Sequence, residues 1–78
     1  MTSNTEFKIH KQTGYTIMSN ALIRDKNISL KSKALLSLML SLPEDWDYSV
    51  AGLTSLVKEG YDAVDSALKE LIKFNYIY

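Results

Sequence analysis

The sequence predicts a mostly helical domain with a small β component. Three segments carry apolar residues at the spacing of one helix face, and serine precedes the first two of them. Short stretches near the ends, 7–10, 15–17 and 76–78, alternate apolar and polar residues or are rich in strand formers. We therefore expect a three-helix core with short strands at its edges.

The first predicted core helix begins at a Ser29 cap and ends before Pro43, because the residue that precedes proline is pushed out of the helical region. Its apolar stripe is wide, so we expect this helix to pack on several sides. A single helical turn is predicted earlier, over 21–24. The stripe is formed by Leu35, Leu36, Leu38, Met39, Leu40 and Leu42.

The second helix is predicted to start at a Ser49 cap and to run for about two to three turns. The third starts near Tyr61 and ends at Phe74, with Asn75 as a left-handed stop. The three apolar stripes predict one contiguous core, made of Leu35, Leu38, Met39, Leu53, Leu56, Val64, Leu68, Leu71 and Ile72.

Length and composition restrict the class of protein. The chain of 78 residues is long enough for one domain, which we place at 7–78 behind a disordered polar tail at 1–6. There is no cysteine, which excludes a disulfide scaffold, a zinc finger and a thiol nucleophile. No apolar run approaches the roughly 20 residues of a membrane span, so we expect a cytoplasmic protein with no membrane partner.

The sequence shows no pattern of catalysis or of metal binding. His10 is the only histidine, and it has no second ligand of the usual spacing. Glu44, Asp45 and Asp47 form a loose acidic cluster without the spacing of a calcium loop. No glycine-rich phosphate loop is present. We expect no enzyme activity, no cofactor and no metal. Trp46 is interpreted as a cover over the core rather than a platform for bases.

A short helix, a turn of three or four residues that contains Gly60, and a second amphipathic helix together form a helix-turn-helix pattern. In such a pair the outer face of the last helix is free to enter the DNA major groove. The alternative is a three-helix bundle that binds no ligand.

Charge does not favour a strong nucleic-acid binder, because the formal net charge is zero. Lys69 and Lys73 are nevertheless candidates for phosphate contacts, although a solvated helix face would look the same. Acidic residues near the start of the third helix suit its dipole, and they would repel phosphates unless they accept bonds from cytosine. The predicted DNA-binding residues are Tyr61, Asp62, Ala63, Ser66, Lys69, Lys73, Lys31 and Lys33.

Several segments resemble the N-terminal winged-helix domain of phage replisome organisers and DnaD-like replication initiation proteins. These are YTIMSNALIRD at 15–25, ISLKSKALL at 28–36, SLPEDW at 41–46, and ALKELI at 67–72 followed by NYI at 75–77. The resemblance implies a winged helix-turn-helix fold and binding of double-stranded DNA at replication initiation. An oligomerisation or scaffold module without DNA contacts and a transcriptional regulator are the alternatives.

The chain departs from this family pattern at its C-terminal end. Asn75 stands where glycine is common, and the chain ends inside the first predicted wing strand. We therefore expect a truncated wing and a longer natural protein, whose other replication partners bind beyond Tyr78. The zero net charge and the missing wing predict weak DNA binding. An unpaired strand at 76–78 would also expose its edge, so we expect self-association, most simply as a dimer.

Overall fold

Four helices follow one another along residues 14–78, which is the part of the chain that the computed structural model describes. They are α1 (Asn20–Ile23), α2 (Leu30–Ser41), α3 (Val50–Thr54) and α4 (Tyr61–Lys73). The first three begin at serine caps whose hydroxyl oxygens accept a hydrogen bond from the first turn: Ser19 from Ala21, Ser29 from Ser32 and Ser49 from Gly52. The predicted starts of α2, α3 and α4 are confirmed.

The core lies where α4 packs against α2 and α3. Leu53 and Leu71 are completely buried at its centre. The loop after α1 adds Ile28, and α1 itself adds Leu22, both of which are buried. Short helices thus gain their stability from burying one or two large side chains against the two long ones.

The end of α4 is closed by two backbone hydrogen bonds. Asn75 adopts a left-handed φ of 66°. Its amide donates to the Ile72 carbonyl at 3.0 Å, and the Tyr76 amide donates to the Leu71 carbonyl at 2.9 Å. This is the Schellman arrangement, and it confirms Asn75 as the predicted left-handed stop.

The winged-helix prediction is wrong for the part of the chain that is described, because residues 14–78 are all-helical and contain no strand. Tyr15 and Ile17, in the strand predicted at 15–17, are 85% and 84% exposed and have no pairing partner among residues 14–78. At the other end the Tyr76 amide is already used by α4, and Tyr76 and Ile77 pack against the core. The predicted strand at 7–10 and the polar tail lie outside the described residues.

Two further expectations about the helices are corrected. The second predicted helix is one turn shorter than expected, because after Thr54 the Leu56 amide bonds to the carbonyl three residues back and the chain turns. The connection to α4 therefore spans 55–60 rather than three or four residues.

The observed core differs from the predicted one in several residues. Leu56 is 39% exposed because it lies in this connection, and Ile72 is 53% exposed because it lies on the flank of α4. Leu38 and Met39 are half-buried at the edge of the core. Leu36 and Ala67 are buried instead.

Candidate nucleic-acid interface

The exposed side of α4 carries one straight row of polar residues. Asp62, Ser66, Lys69 and Lys73 are all exposed and lie close to one turn apart along the helix. The opposite side is buried and consists of Val64, Ala67, Leu68 and Leu71. Tyr61, 57% exposed, flanks the row, and Ala63 is half-buried beside it. Most of the predicted DNA-binding residues are therefore on one accessible surface.

The first turn of α2 adds a third lysine to this row. The Lys31 ammonium donates a hydrogen bond to the Ser66 hydroxyl at 3.2 Å. Two helices that are distant in sequence therefore contribute to one patch, which we call the lysine surface: Lys31, Ser66, Lys69 and Lys73. A lysine in the first turn is unfavourable for the helix dipole, so helix stability does not account for Lys31.

Lys33 lies elsewhere. It is half-buried and, two residues after Lys31, points roughly 200° around the helix. Its charge contributes to lowering the pKa of Asp25, after larger contributions from hydrogen bonds donated by Tyr76 and Asn27. The structure thus separates the two predicted lysines of α2, and only Lys31 joins the lysine surface.

Lys69 is paired within its own helix. Its ammonium lies 2.9 Å from the Asp65 carboxylate, and its side chain is 75% exposed. The hydrogen bond that Lys69 donates to Asp65, and then the negative charge of that carboxylate, raise the pKa of Lys69. Exposed pairs of this kind contribute little to stability, so a phosphate can compete with Asp65 for the lysine.

Lys73 and Asp62 occupy the two ends of the row. The Lys73 ammonium lies 5.7 Å from the centre of the Phe74 ring, which is within cation–π range. Asp62 is exposed and forms no hydrogen bond or ion pair with any side chain of residues 14–78. The row is therefore acidic at the start of α4 and basic at its end, as the helix dipole favours.

Glu70 locks α4 to the beginning of α2. One of its carboxylate oxygens accepts hydrogen bonds from the Ser29 amide at 2.9 Å, the Ser29 hydroxyl at 2.8 Å and the Ser32 hydroxyl. These bonds, that from Ser32 first, lower the pKa of Glu70 to about 2. The carboxylate occupies the helix N-terminus where an external anion would otherwise bind, so the lysine surface does not extend there.

Sequence reasoning missed this role of Glu70. The only signal was a second serine, Ser32, one turn after the Ser29 cap, in a helix whose first turn has no acidic residue. That signal does not identify the carboxylate that completes the network.

A groove with a volume of about 540 Å³ opens beside the lysine surface, between α2, the connection 55–60 and α4. Its floor is apolar, with Ala34, Leu38 and Val57 among the lining residues. Lys31 and Glu59 also line it, so residues of opposite charge belong to the same groove.

The remaining candidate groups form no site within the described part of the chain. No cluster of three or more potential metal ligands occurs between residues 14 and 78, and His10 lies outside this range. Trp46 is half-buried, and its indole N–H is buried without a hydrogen-bond partner among the described residues. The half-buried ring is therefore not fully exposed for stacking against bases.

Comparisons with known proteins return no relative. No protein-family model matches the chain, and neither does any curated protein or solved structure. Among the described residues, no helix has both the length and the apolar character needed to cross a membrane.

Proposed function

We propose that this domain binds double-stranded DNA through the exposed side of α4. The observation that carries the proposal is the lysine surface, on which Lys31 from α2 joins Lys69 and Lys73 from α4. The resemblance of the sequence to replication initiation proteins adds the biological setting, a cytoplasmic bacterial or phage protein that acts when replication begins.

The geometry of α4 suits insertion into a major groove. The helix has 13 residues, which corresponds to roughly 20 Å, and the groove is about 12 Å wide. Its buried side is held by α2 and α3, and its exposed row ends in two lysines. With the start of α4 directed at the bases, Lys69 and Lys73 would lie toward the phosphates of the groove wall.

This binding is expected to be weak and sensitive to salt. Three lysines displace few counterions, and Asp65 already competes for one of them. The zero net charge of the chain adds no long-range attraction to DNA.

The experiment is a salt titration of binding to a mixed-sequence duplex. The double substitution Lys69→Gln with Lys73→Gln should weaken binding on all sequences alike and lower the slope of log K against log salt by about two units. Lys33→Gln is the control, because it removes one positive charge from the other side of α2 and should leave the salt slope unchanged. Equal effects of the control and of the double variant, or no effect of either, would contradict the proposal.

Self-association is the second candidate function, and the groove favours it. A second copy related by a two-fold axis would bury the apolar floor of both grooves. Because Lys31 and Glu59 line the same groove, that pairing would place Lys31 of each copy opposite Glu59 of the other. The lack of net charge means that two copies do not repel one another.

Charge reversal separates this pairing from other modes of association. In sedimentation across a concentration range, Glu59→Lys should shift the equilibrium toward monomer, because two lysines then face each other. Combining it with Lys31→Glu restores opposite charges and should restore the dimer. A chain that is monomeric at every concentration contradicts the second candidate and leaves the first intact.

A further inference from the structure

We propose that Asp62 is the residue of α4 that determines base specificity, and that it selects cytosine; this inference rests on the proposed DNA binding. The residues at the start of an inserted helix reach the base edges, whereas later residues reach the backbone. Asp62 is the first member of the exposed row, one turn before Ser66.

The two aspartates at the start of α4 differ in how they are engaged. The Asp65 side chain is 32% exposed and is neutralised by the Lys69 ammonium at 2.9 Å. Asp62 is exposed and has no such partner among the side chains of residues 14–78. Of the two carboxylates, only that of Asp62 would meet a base edge without an ion pair to residues 14–78, and it lies at the leading end of the row.

The chemistry of a carboxylate decides which base it accepts. It can only accept hydrogen bonds, and in the major groove the donors are the amino groups of cytosine and adenine. Adenine also presents its N7 acceptor, which repels a carboxylate, while guanine and thymine present acceptors at their reading edges. Cytosine alone offers a donor without an adjacent acceptor.

Ser66 does not provide this discrimination. A hydroxyl both donates and accepts, so it suits several bases, and the Ser66 oxygen already accepts a bond from Lys31. A cation beside Ser66 also directs this part of the row toward phosphate rather than toward a base.

The test is selection of duplexes from a random-sequence library, carried out in parallel with the parent chain, Asp62→Asn and Asp65→Asn. The parent should enrich one position in cytosine by about tenfold over the other bases. Asp62→Asn should change that position to adenine, because an amide accepts from the adenine amino group and donates to N7. Asp65→Asn, the matched control, should keep cytosine and bind every sequence more tightly, because Lys69 is released.

The outcomes separate this inference from the proposal on which it depends. If the parent binds duplex DNA but Asp62→Asn keeps the same base preference, or if neither shows a preference, the inference is overturned and DNA binding stands. If the parent binds no duplex at low salt, both are overturned. Circular dichroism of each variant establishes that the helices are intact, so a change of preference reports on recognition.

Discussion

At the scale of single residues, the Glu70 carboxylate joins two helices that are distant in sequence. It accepts three hydrogen bonds from Ser29 and Ser32, which lie about forty positions earlier and begin α2. A carboxylate near a helix N-terminus is also favoured by the helix dipole. The same contact sets where α4 lies against α2, and so brings Lys31 to Ser66.

The lowered pKa of Glu70 predicts how stability depends on pH. The folded chain holds the pKa at about 2, against an ordinary value of 4.5. A group whose pKa is lowered by folding stabilises the folded state above its unfolded pKa, and this contribution is lost as the pH falls through 4.5 toward 2. Thermal unfolding between pH 7 and pH 2 should show this loss, and Glu70→Gln should be less stable at pH 7 and lose less on acidification.

Glu44→Gln is the matched control, since Glu44 is exposed in the loop between α2 and α3. It should unfold with the pH dependence of the parent. If Glu70→Gln loses as much stability between pH 7 and pH 2 as the parent does, other carboxylates dominate the pH dependence of stability.

At the scale of elements, α4 is amphipathic: one side packs in the core and the other side is exposed to solvent. Leu68 lies on the buried side, whereas Ile72, one turn later, is 53% exposed. Leu68→Ala should lower the free energy of unfolding by about 2–5 kcal/mol, because it leaves a cavity between α4 and its neighbours. Ile72→Ala should cost much less. Denaturant unfolding measures both, and equal losses would contradict this assignment.

The short helix α3 is held close to the chain that precedes it. A Cβ placed on Gly52 would lie 2.7 Å from the carboxylate carbon of Asp47 and would also meet the Asp47 carbonyl oxygen. Alanine is normally the better helix former, but here Gly52→Ala should destabilise the fold by about 1–3 kcal/mol because the backbone must move.

Gly60→Ala is the comparison, because a Cβ at Gly60 would have open space around it and the φ of −83° suits any residue. Its free energy of unfolding should change by less than about 1 kcal/mol. If Gly52→Ala stabilised the chain as a helix propensity scale implies, the close approach of Asp47 would not constrain α3.

At the scale of the whole molecule, one hydrogen bond ties the C-terminal segment to the loop between α1 and α2. The Tyr76 hydroxyl donates to the Asp25 carboxylate at 2.6 Å across 51 positions of the chain. This bond lowers the pKa of Asp25 and raises that of Tyr76. It keeps Tyr76 and Ile77 against the core instead of extending them as a strand.

Removal of that hydroxyl tests whether the segment is held in place. Tyr76→Phe should lower the Tm near neutral pH. Since folding lowers the pKa of Asp25 and raises that of Tyr76, the difference from the parent should shrink as the pH falls below the ordinary aspartate value of 3.8 and as it rises above the ordinary tyrosine value of 10.0. Tyr48→Phe is the control within the same residue type, because the Tyr48 hydroxyl donates to the carbonyl of Pro43 and not to a carboxylate. Its effect should be independent of pH in acid. If Tyr76→Phe has the same Tm as the parent, the hydrogen bond to Asp25 does not hold the C-terminal segment in place.

The local features of this fold could be predicted from the amino-acid sequence. Serine caps at positions 29 and 49, the stop before Pro43 and the left-handed Asn75 each depend on contacts within a few residues, so short patterns predict them. The apolar stripe of α4 likewise determined which side is exposed and therefore which residues are candidates for DNA. The resemblance to replication proteins implied a wing, and the all-helical structure of residues 14–78 does not contain it.

Features that depend on partners distant in the chain could not be predicted from the sequence. A strand needs a second strand to satisfy its backbone, and the stretches at 15–17 and 76–78 have none within the described residues, whatever their own propensities. Glu70 accepts hydrogen bonds from serines at the beginning of α2, and Lys31 and Lys33, two residues apart, lie on different sides of that helix. Local spacing identifies which side chains are exposed, but the packing of α2 against α4 decides which of them share a surface.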